Sequence, residues 1–511
     1  MHARFRDADT PGILIRTRSG DDSSLTADDI STLAQSLRGE LLLPATPKYE
    51  EARRIWNGMI EHRPSLIARC RSSADVVQAV RYAAEHDLLV AVRGGGHNIA
   101  GNALVDQGFV IDLSQMRSVR VDPGNRVAWV EPGARLCDVD HDTQEFGLAT
   151  PLGINSTTGV AGLTLGGGYG WLSRLHGLTV DNLLAADIVT ADGELLTVSE
   201  RDHPDLFWAI RGGGGNFGVV TSFTFELHPV GPQVMAGLVI YPFEQAADVL
   251  GRYREIVADA PDALTAWVVM RKAPPLPFLA PEVHGQNVVV IPVCHVGSME
   301  DAEREVKPLR TMGRAHADTV RPVAYTTFQA TFDPLLAAGA RNYWKTNNFL
   351  RLSDRLTDTL VEQAAELPGP MCEIFLAQLG GAVSRRPDDA TPYAGRDAQF
   401  VMNVHARWDD AVDDERFVSW ARSVYGITAK YAAPNAYVNF LTADEGARVR
   451  DAYGENYERL VAVKTKYDPR NMFRVNQNVV PSAARGAPAV GPHRAIEVPF
   501  REVEVPPSME R

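Results

Sequence analysis

Cysteine is scarce in this chain: Cys70, Cys137, Cys294 and Cys372 are scattered, with no C-x-x-C and no paired spacing. That excludes a disulfide framework and a cysteine-built zinc site, suits a reducing compartment, and leaves no metal to expect. No uninterrupted apolar run reaches the ~18 residues of a membrane-spanning helix. The opening residues, Met1-His2-Ala3-Arg4-Phe5-Arg6-Asp7, carry charge early and lack the apolar stretch of a signal peptide. A cytoplasmic protein with no membrane partner is the expectation. Basic residues are outnumbered, 51 Lys and Arg against 64 Asp and Glu, for a net charge of −13. With no basic stripe to displace counterions from phosphates, a nucleic-acid partner is not expected either.

What remains is a composition ordinary for a soluble globular enzyme, 45% hydrophobic and 23% charged, and the length of 511 residues suggests two or three domains. The first roughly 25 residues are polar and read as an extended arm. Regular structure is predicted from Thr26-Ala27-Asp28-Asp29, a helix start ahead of Ile30, Leu33 and Leu37. Residues 72–87 read as an amphipathic helix capped by Ser72 or Ser73, with Val76, Val77, Val80, Ala83 and Ala84 on one face. A strand over 88–92 follows, then strands at 109–113, 119–121 and 127–130, the last two joined by the turn Asp122-Pro123-Gly124-Asn125. Asp192-Gly193 between two apolar runs predicts a hairpin, and Val219 to Leu227 a further strand.

At His228-Pro229-Val230-Gly231-Pro232 the texture changes to strands alternating with longer helices, 243–257, 300–312 and 354–366. The predicted organisation is a first domain over 1–230 with its core at about 65–230, and a second over 231–432. A short segment over 433–482 is rich in Tyr and Asn, and a Pro- and Ala-rich tail over 483–511 wraps a surface or stays mobile. No solenoid repeat is present.

Three glycine clusters stand in the first 220 residues: Gly94-Gly95-Gly96, Gly166-Gly167-Gly168 with Gly170, and Gly212-Gly213-Gly214-Gly215 with Gly218. Glycine runs cost backbone entropy, and the usual return is close approach of amides to an anion such as a pyrophosphate. The third cluster matches G-x-G-x-x-G, but a helix start at His203-Pro204 precedes it and a strand follows it. The dinucleotide fingerprint needs the reverse order, so a nicotinamide Rossmann site is rejected. The first cluster leaves a strand and ends on His97; taken alone, this histidine is either a ligand group or a hydrogen-bonded loop residue.

Five segments occur together in one order: Arg93-Gly94-Gly95-Gly96-His97; Gly159-Val160-Ala161-Gly162-Leu163-Thr164-Leu165 with Gly166-Gly167-Gly168-Tyr169-Gly170; Asp181-Asn182-Leu183-Leu184; Pro204-Asp205-Leu206-Phe207-Trp208-Ala209; and Arg211-Gly212-Gly213-Gly214-Gly215-Asn216-Phe217-Gly218. With them the stretch from Ala68 to Val230 resembles the PCMH-type FAD-binding domain of the vanillyl-alcohol-oxidase superfamily, and within it the berberine-bridge-enzyme-like branch. Tyr437-Val438-Asn439-Phe440, Tyr453-Gly454-Glu455-Asn456-Tyr457, Lys466-Tyr467-Asp468-Pro469-Arg470-Asn471-Met472-Phe473 and Asn476-Gln477-Asn478 resemble the segment that returns to complete the flavin domain. The resemblance implies an α+β, two-domain PCMH-type fold with an antiparallel-sheet substrate domain over the flavin and helices behind it.

The resemblance further implies FAD linked through its 8α-methyl carbon to His97, since a neutral imidazole nitrogen is a competent nucleophile near physiological pH. Relatives with a second link carry a cysteine eleven residues before the first glycine of the Gly-Gly-Gly-Tyr-Gly run; here that position is Asn155, and the nearest cysteine, Cys137, is eighteen positions earlier. The chain is therefore similar to the singly linked members. Arg93, Gly94, Gly95, Gly96, Asn98, Gly101, Thr157, Thr158, Gly159, Gly162, Gly167 and Gly168 are the implied cofactor-binding residues, although the two threonines also suit plain turn chemistry. Val219 and Val220 match positions near the adenine end, or serve as strand core. Asn439, Asn476 and Asn478 either hydrogen-bond flavin or substrate or cap turns.

In the family a hydride passes from a substrate carbon to flavin N5, often with a base taking a hydroxyl proton. Tyr437 occupies a position where relatives place a catalytic tyrosine, or is a packed aromatic on a strand; a tyrosinate would need its pKa lowered from ~10. Glu373 faces the cavity from a substrate-domain strand, with Gln378 on the opposite face by alternation, or is a structural acid. The implied partners are a small-molecule substrate (an alcohol, amine, sugar or polyketide-like phenol) and O2, which returns H2O2. Thr158 is the residue expected to gate oxygen at the flavin. A dehydrogenase with another acceptor and a non-catalytic flavin-binding protein are the alternatives.

Overall fold

The protein is described from a computed structural model covering residues 12–484. Helix Ser73–Glu85 forms as its pattern predicts: the Ser72 side chain accepts from the Asp75 amide, and Val76, Ala79, Val80 and Ala83 turn inward. Ser72→Ala should lower stability by ~1 kcal/mol, readable as a reduced thermal midpoint, because one orphan amide of the first turn loses its partner. Helix Ala27–Ser36 starts on a capping box between Thr26 and Asp29. Order begins earlier than the sequence implies, however. Strands Ile13–Arg16 and Asp22–Leu25 pair antiparallel, and the first is pinned to the body by the Arg16 amide on the Gln107 carbonyl. Ile15 and Leu25 are fully buried there, so the arm over 12–25 is a docked hairpin. The predicted tail beyond residue 484, like residues 1–11, lies outside the described residues.

A four-stranded sheet orders Glu40–Leu42, Leu66–Arg69, Phe109–Asp112 and Val90–Arg93. Leu66–Arg69 and Val90–Arg93 each run parallel to Phe109–Asp112, and their near-continuous apolar runs suit strands covered on both faces. Beside it, a five-stranded antiparallel sheet orders Leu195–Ser199, Leu183–Val189, Val219–Glu226, Val127–Val130 and Val119–Asp122. Its first two strands are the predicted hairpin, with Gly193 at φ +71° supplying the left-handed turn residue. The third glycine cluster follows helix Pro204–Ile210 and leads into strand Val219–Glu226, the context that excludes a Rossmann turn.

Strands between 233 and 408 build a nine-stranded sheet whose named pairings are antiparallel. Asn287–His295, Val268–Lys272, Glu373–Gln378, Phe400–Trp408 and Arg341–Phe349 lie side by side in that order, the last at an edge. Helices Ala246–Ala258, Met299–Arg310, Asp354–Ala365 and Asp414–Thr428 cover one face, where Met270, Ile374 and Val404 join Leu250, Val306, Leu360 and Ala421 in one core. Strand alternation sends the residues between them to the other face. The segment after 433 returns to the first half of the chain: Val438, Leu441, Tyr453 and Leu460 pack with Val130, Phe207 and Phe223. Among the described residues no helix is long and apolar enough to cross a membrane.

Candidate functional site

A cavity of about 360 Å³ separates the glycine loops from the open face of the nine-stranded sheet. Its floor begins where strand Val90–Arg93 delivers the chain into Gly94-Gly95-Gly96-His97-Asn98, at the carboxyl end of a parallel strand. The backbone amides of residues 94 to 98 donate to no group among the described residues. Successive unpaired amides of this kind can form a nest for an anion's oxygens. Gly95 crosses Gly159 so closely that a Cβ on Gly95 would lie 2.4 Å from the Gly159 Cα; only glycine serves at that crossing. At Gly162 and Gly215, both lining the cavity, a Cβ would meet nothing, so the glycines there border free volume.

His97 ends the nest. Its ring stacks on Trp56 at 5.2 Å and 19°, and Nε2 lies 3.1 Å from the Thr157 hydroxyl. Burial, with Arg135 acting in the same direction, pushes the imidazole down to about 3, so it is neutral throughout the physiological range. Thr157 in turn donates to Asn155 Oδ1 at 2.7 Å. Trp56 is held by its indole N–H on the Leu336 carbonyl at 2.7 Å.

Strands of the large sheet form the roof. In register on neighbouring strands stand Arg271, Glu373, His405 and Trp344, a single row facing the cavity. Arg271 Nη1 donates to Glu373 at 2.8 Å, and His405 Nδ1 lies 3.5 Å from the other carboxylate oxygen. Burial pushes Glu373 up, but Arg271 and His405 outweigh it and hold the carboxyl below its ordinary value. Burial pushes His405 down against the pull of Glu373. His405 Nε2 meets Asn342 Oδ1 at 3.0 Å, an oxygen that also accepts from Arg407. Because that atom accepts, Nε2 carries a proton, while Nδ1 faces Glu373. Phe375 and Asn403 form the next row, and Asn403 is buried with neither amide atom paired. The surrounding walls are apolar: Leu238, Ile240, Trp267, Val269, Val290, Leu276, Leu279 and Phe440 among them.

The residues singled out in the sequence divide into two groups. Gly94, Gly95, Gly96, His97, Asn98, Thr158, Gly159, Gly162, Val219, Val220, Asn439, Asn476, Tyr437 and Glu373 come together on the cavity wall. Arg93, Gly101, Thr157, Gly167, Gly168 and Asn478 do not line it. Arg93 turns away to donate to the Ala52 carbonyl. Gly101, at φ +82°, packs on Ile60, while Gly167 and Gly168 sit against Tyr393 and Thr179. Thr157 reaches the cavity only through His97. Tyr437 is not on a strand; it precedes the 3-10 turn Val438–Phe440. Asn439 donates to its hydroxyl at 2.9 Å, yet burial pushes the phenol up to about 12, opposite to what a resting tyrosinate needs. Gln378 points to the far face as predicted, accepting from the Ala266 amide.

Sequence reasoning passed over Arg271, His405, Asn403, Trp344 and Trp56. Alternation along Phe400–Trp408 puts Asn403 and His405 on one face, but tells neither which face nor that Arg271, on another strand, shares it. Trp56 sits in the irregular stretch between helix Tyr49–Ala52 and strand Leu66–Arg69, with no local signal. Among the described residues no group of His, Cys, Asp and Glu gathers into a metal site, and all four cysteines are free.

Residues 64–199 match the FAD binding domain family, and residues 436–480 match the berberine and berberine-like family. The (R)-6-hydroxynicotine oxidase of Paenarthrobacter nicotinovorans is 31% identical over 459 residues, covering 88% of this chain and 98% of its own. The chain belongs to the FAD-linked oxidoreductases of the berberine-bridge-like branch. A second relative of this oxidoreductase, the uncharacterized FAD-linked oxidoreductase YgaK of Bacillus subtilis, is 31% identical and covers 87% of the chain and 97% of its own length. The crystal structure of 6-hydroxy-D-nicotine oxidase from Arthrobacter nicotinovorans superposes with a TM-score of 0.79 at 30% identity, over 87% of this chain and 98% of the other. The residues present fit FAD: free amides at Gly94 to Asn98 suit its phosphates, and the free volume beside Gly162 and Gly215 suits a planar ring.

Proposed function

We propose that this FAD-linked oxidoreductase is an oxidase with a single covalent tether at His97, acting on a small, largely apolar ring-bearing alcohol, amine or phenol. The observation that carries this reading is the pairing of a neutral, half-buried His97 at the end of the amide run with one charged row in an otherwise apolar roof. When bound, the flavin supplies a hydride acceptor and passes the electrons to O2, giving H2O2. Arg271 keeps Glu373 ionised, and the Glu373 Oε1 to His405 Nδ1 gap of 3.5 Å is where a substrate proton would settle. Tyr437, as a neutral hydroxyl, orients the substrate rather than deprotonating it. Apolar and aromatic walls favour a ring over a sugar, in keeping with a relative whose name records a hydroxylated nicotine as its substrate. The corresponding division of the chain is 1–230 and 433–482 around the flavin, with 231–432 over the substrate.

Colour that stays with the polypeptide after acid precipitation supports the tether. Anaerobic bleaching by ring alcohols, amines or phenols, then reoxidation in air with H2O2 release, supports the oxidase. Bleaching without reoxidation by air would make it a dehydrogenase, and a flavin that no compound bleaches would remove the catalytic reading. Glu373→Gln should slow bleaching by roughly 10²- to 10⁴-fold while leaving the flavin acid-stable, as expected for loss of a general base.

A further inference from the structure

The roof of the cavity has two unlike halves. Glu373, His405 and Trp344 stand on strands Glu373–Gln378, Phe400–Trp408 and Arg341–Phe349. On the other side of Glu373–Gln378 the sheet continues through Val268–Lys272 and Asn287–His295 to strand Gln233–Pro242. One row of cavity-lining residues crosses that boundary: Phe375 is paired with Val269, Val269 with Val290, and Val290 with Ile240. Among the described residues, Arg271 is the sole polar one that these last three strands contribute to the cavity wall. Its guanidinium is turned to Glu373, at 2.8 Å.

Leu238, Ile240, Val269, Val288 and Val290 form an apolar cluster of their own, separate from the core beneath the helices. Leu238, Val269 and Val290 keep 8%, 9% and 6% of their surface free, whereas Val239, Val268 and Val289, on the helix-covered face, keep none. The free surface therefore lies on the cavity side, and it is apolar. Leu276 and Leu279, from the loop after Val268–Lys272, pack on the same cluster and line the cavity too. A hydroxylated or charged group entering this arm would leave water without finding a hydrogen-bond partner, whereas an apolar group would gain contacts there.

We propose that this arm takes an apolar tail of the substrate, so that the molecule oxidised is amphipathic. Its head reacts beside Glu373, and its tail crosses Val269 and Val290 to end at Ile240. Three strand spacings separate Glu373–Gln378 from Gln233–Pro242, so the tail reaches roughly 14 Å from the head. Val290 and Ile240 are then specificity-determining residues, one at the middle of the arm and one at its end. For the head the proposal rests on the oxidase reading above; for the tail it does not, because binding needs no turnover.

The test uses the flavin-loaded full-length protein and two ligand series carrying methyl, butyl, hexyl, octyl or decyl chains. Para-alkylbenzyl alcohols are read by flavin bleaching. Para-alkylbenzamides, which have no carbinol hydrogen to give, are read by calorimetric titration. Affinity for the benzamides should rise roughly 3- to 4-fold for each CH2 buried, with a negative heat-capacity change, until the arm is full. The alcohols should follow in kcat/KM at nearly constant kcat, as for an interaction equal in ground and transition states. Val290→Phe should narrow the middle of the arm and move the best chain to a shorter one, while Ile240→Ala should open its end and move it to a longer one. Opposite shifts cannot both come from a damaged fold. Affinity unchanged from methyl to octyl, or a chain-length profile identical in wild type and both variants, would overturn the arm. Alcohols that never bleach the flavin, with the benzamide gains intact, would instead overturn the oxidase reading of the head and leave the arm in place.

Discussion

His97→Ala protein is expected to release all of its flavin on acid precipitation and to retain little or none through purification. The nest amides at Gly94 to Asn98 remain in that variant, so residual binding depends on the phosphates alone. What is lost is the tether and the buried ring on Trp56, and the space left is water-accessible from the cavity. The measurement is the ratio of flavin absorbance in precipitate and supernatant, before and after dialysis against excess FAD. Flavin that stays with the His97→Ala polypeptide after acid treatment would place the tether elsewhere. Cys137 is a poor substitute, because burial and Asp138 raise its thiol.

Asp468→Ala should destabilise the fold by ~3–5 kcal/mol, the cost of stranding a buried charge by removing its partner. Asp468 and Lys464 are both fully buried. The carboxylate accepts from Lys464 Nζ at 2.7 Å and from the amides of Met472 and Phe473 at 2.7 and 2.9 Å. Lys464 also donates to the carbonyls of Asn216 and Phe473, at 2.6 and 2.8 Å. One ion pair thus ties helix Tyr457–Tyr467 to the third glycine cluster and to the loop that carries Asn476 onto the cavity wall. Burial pushes the Lys464 ammonium down to about 8 even with its carboxylate present. Without Asp468 it should lose its proton, and the two orphaned amides remain unpaired. The denaturation midpoint reads the loss, and Lys464→Met/Asp468→Leu should recover part of it because no charge is then stranded. A single-variant loss below 1 kcal/mol would mean that water reaches the pair.

Where a local rule decided the outcome, the residues alone sufficed. Ser72 and Thr26 cap the helices their positions imply, and Asp192-Gly193 turns its hairpin. The helix-before, strand-after context of Gly212 to Gly218 is legible in the residues and excludes a Rossmann turn. The N-terminal arm was misread because its few apolar residues carry no periodic signal. Ile15 is buried only because the chain around residues 88 and 107 lies beside it, a contact that spans more than seventy positions. Tyr437-Val438-Asn439-Phe440 also suits a strand, because four residues are too few to separate one from the 3-10 turn Val438–Phe440 that forms.

The sequence by itself determined the family, the glycine loop ending on His97, and the absence of a cysteine at position 155. These rest on residue type and order along the chain, which folding does not alter. Only the tertiary structure decided what those residues face. It set Arg271, Glu373 and His405 in one row through cross-strand register, and it left Arg93 and Thr157 off the cavity wall. It also pushed Tyr437 up and His97 down by burying both. Registers, distances and burial arise from contacts between segments hundreds of residues apart, and no local pattern encodes them.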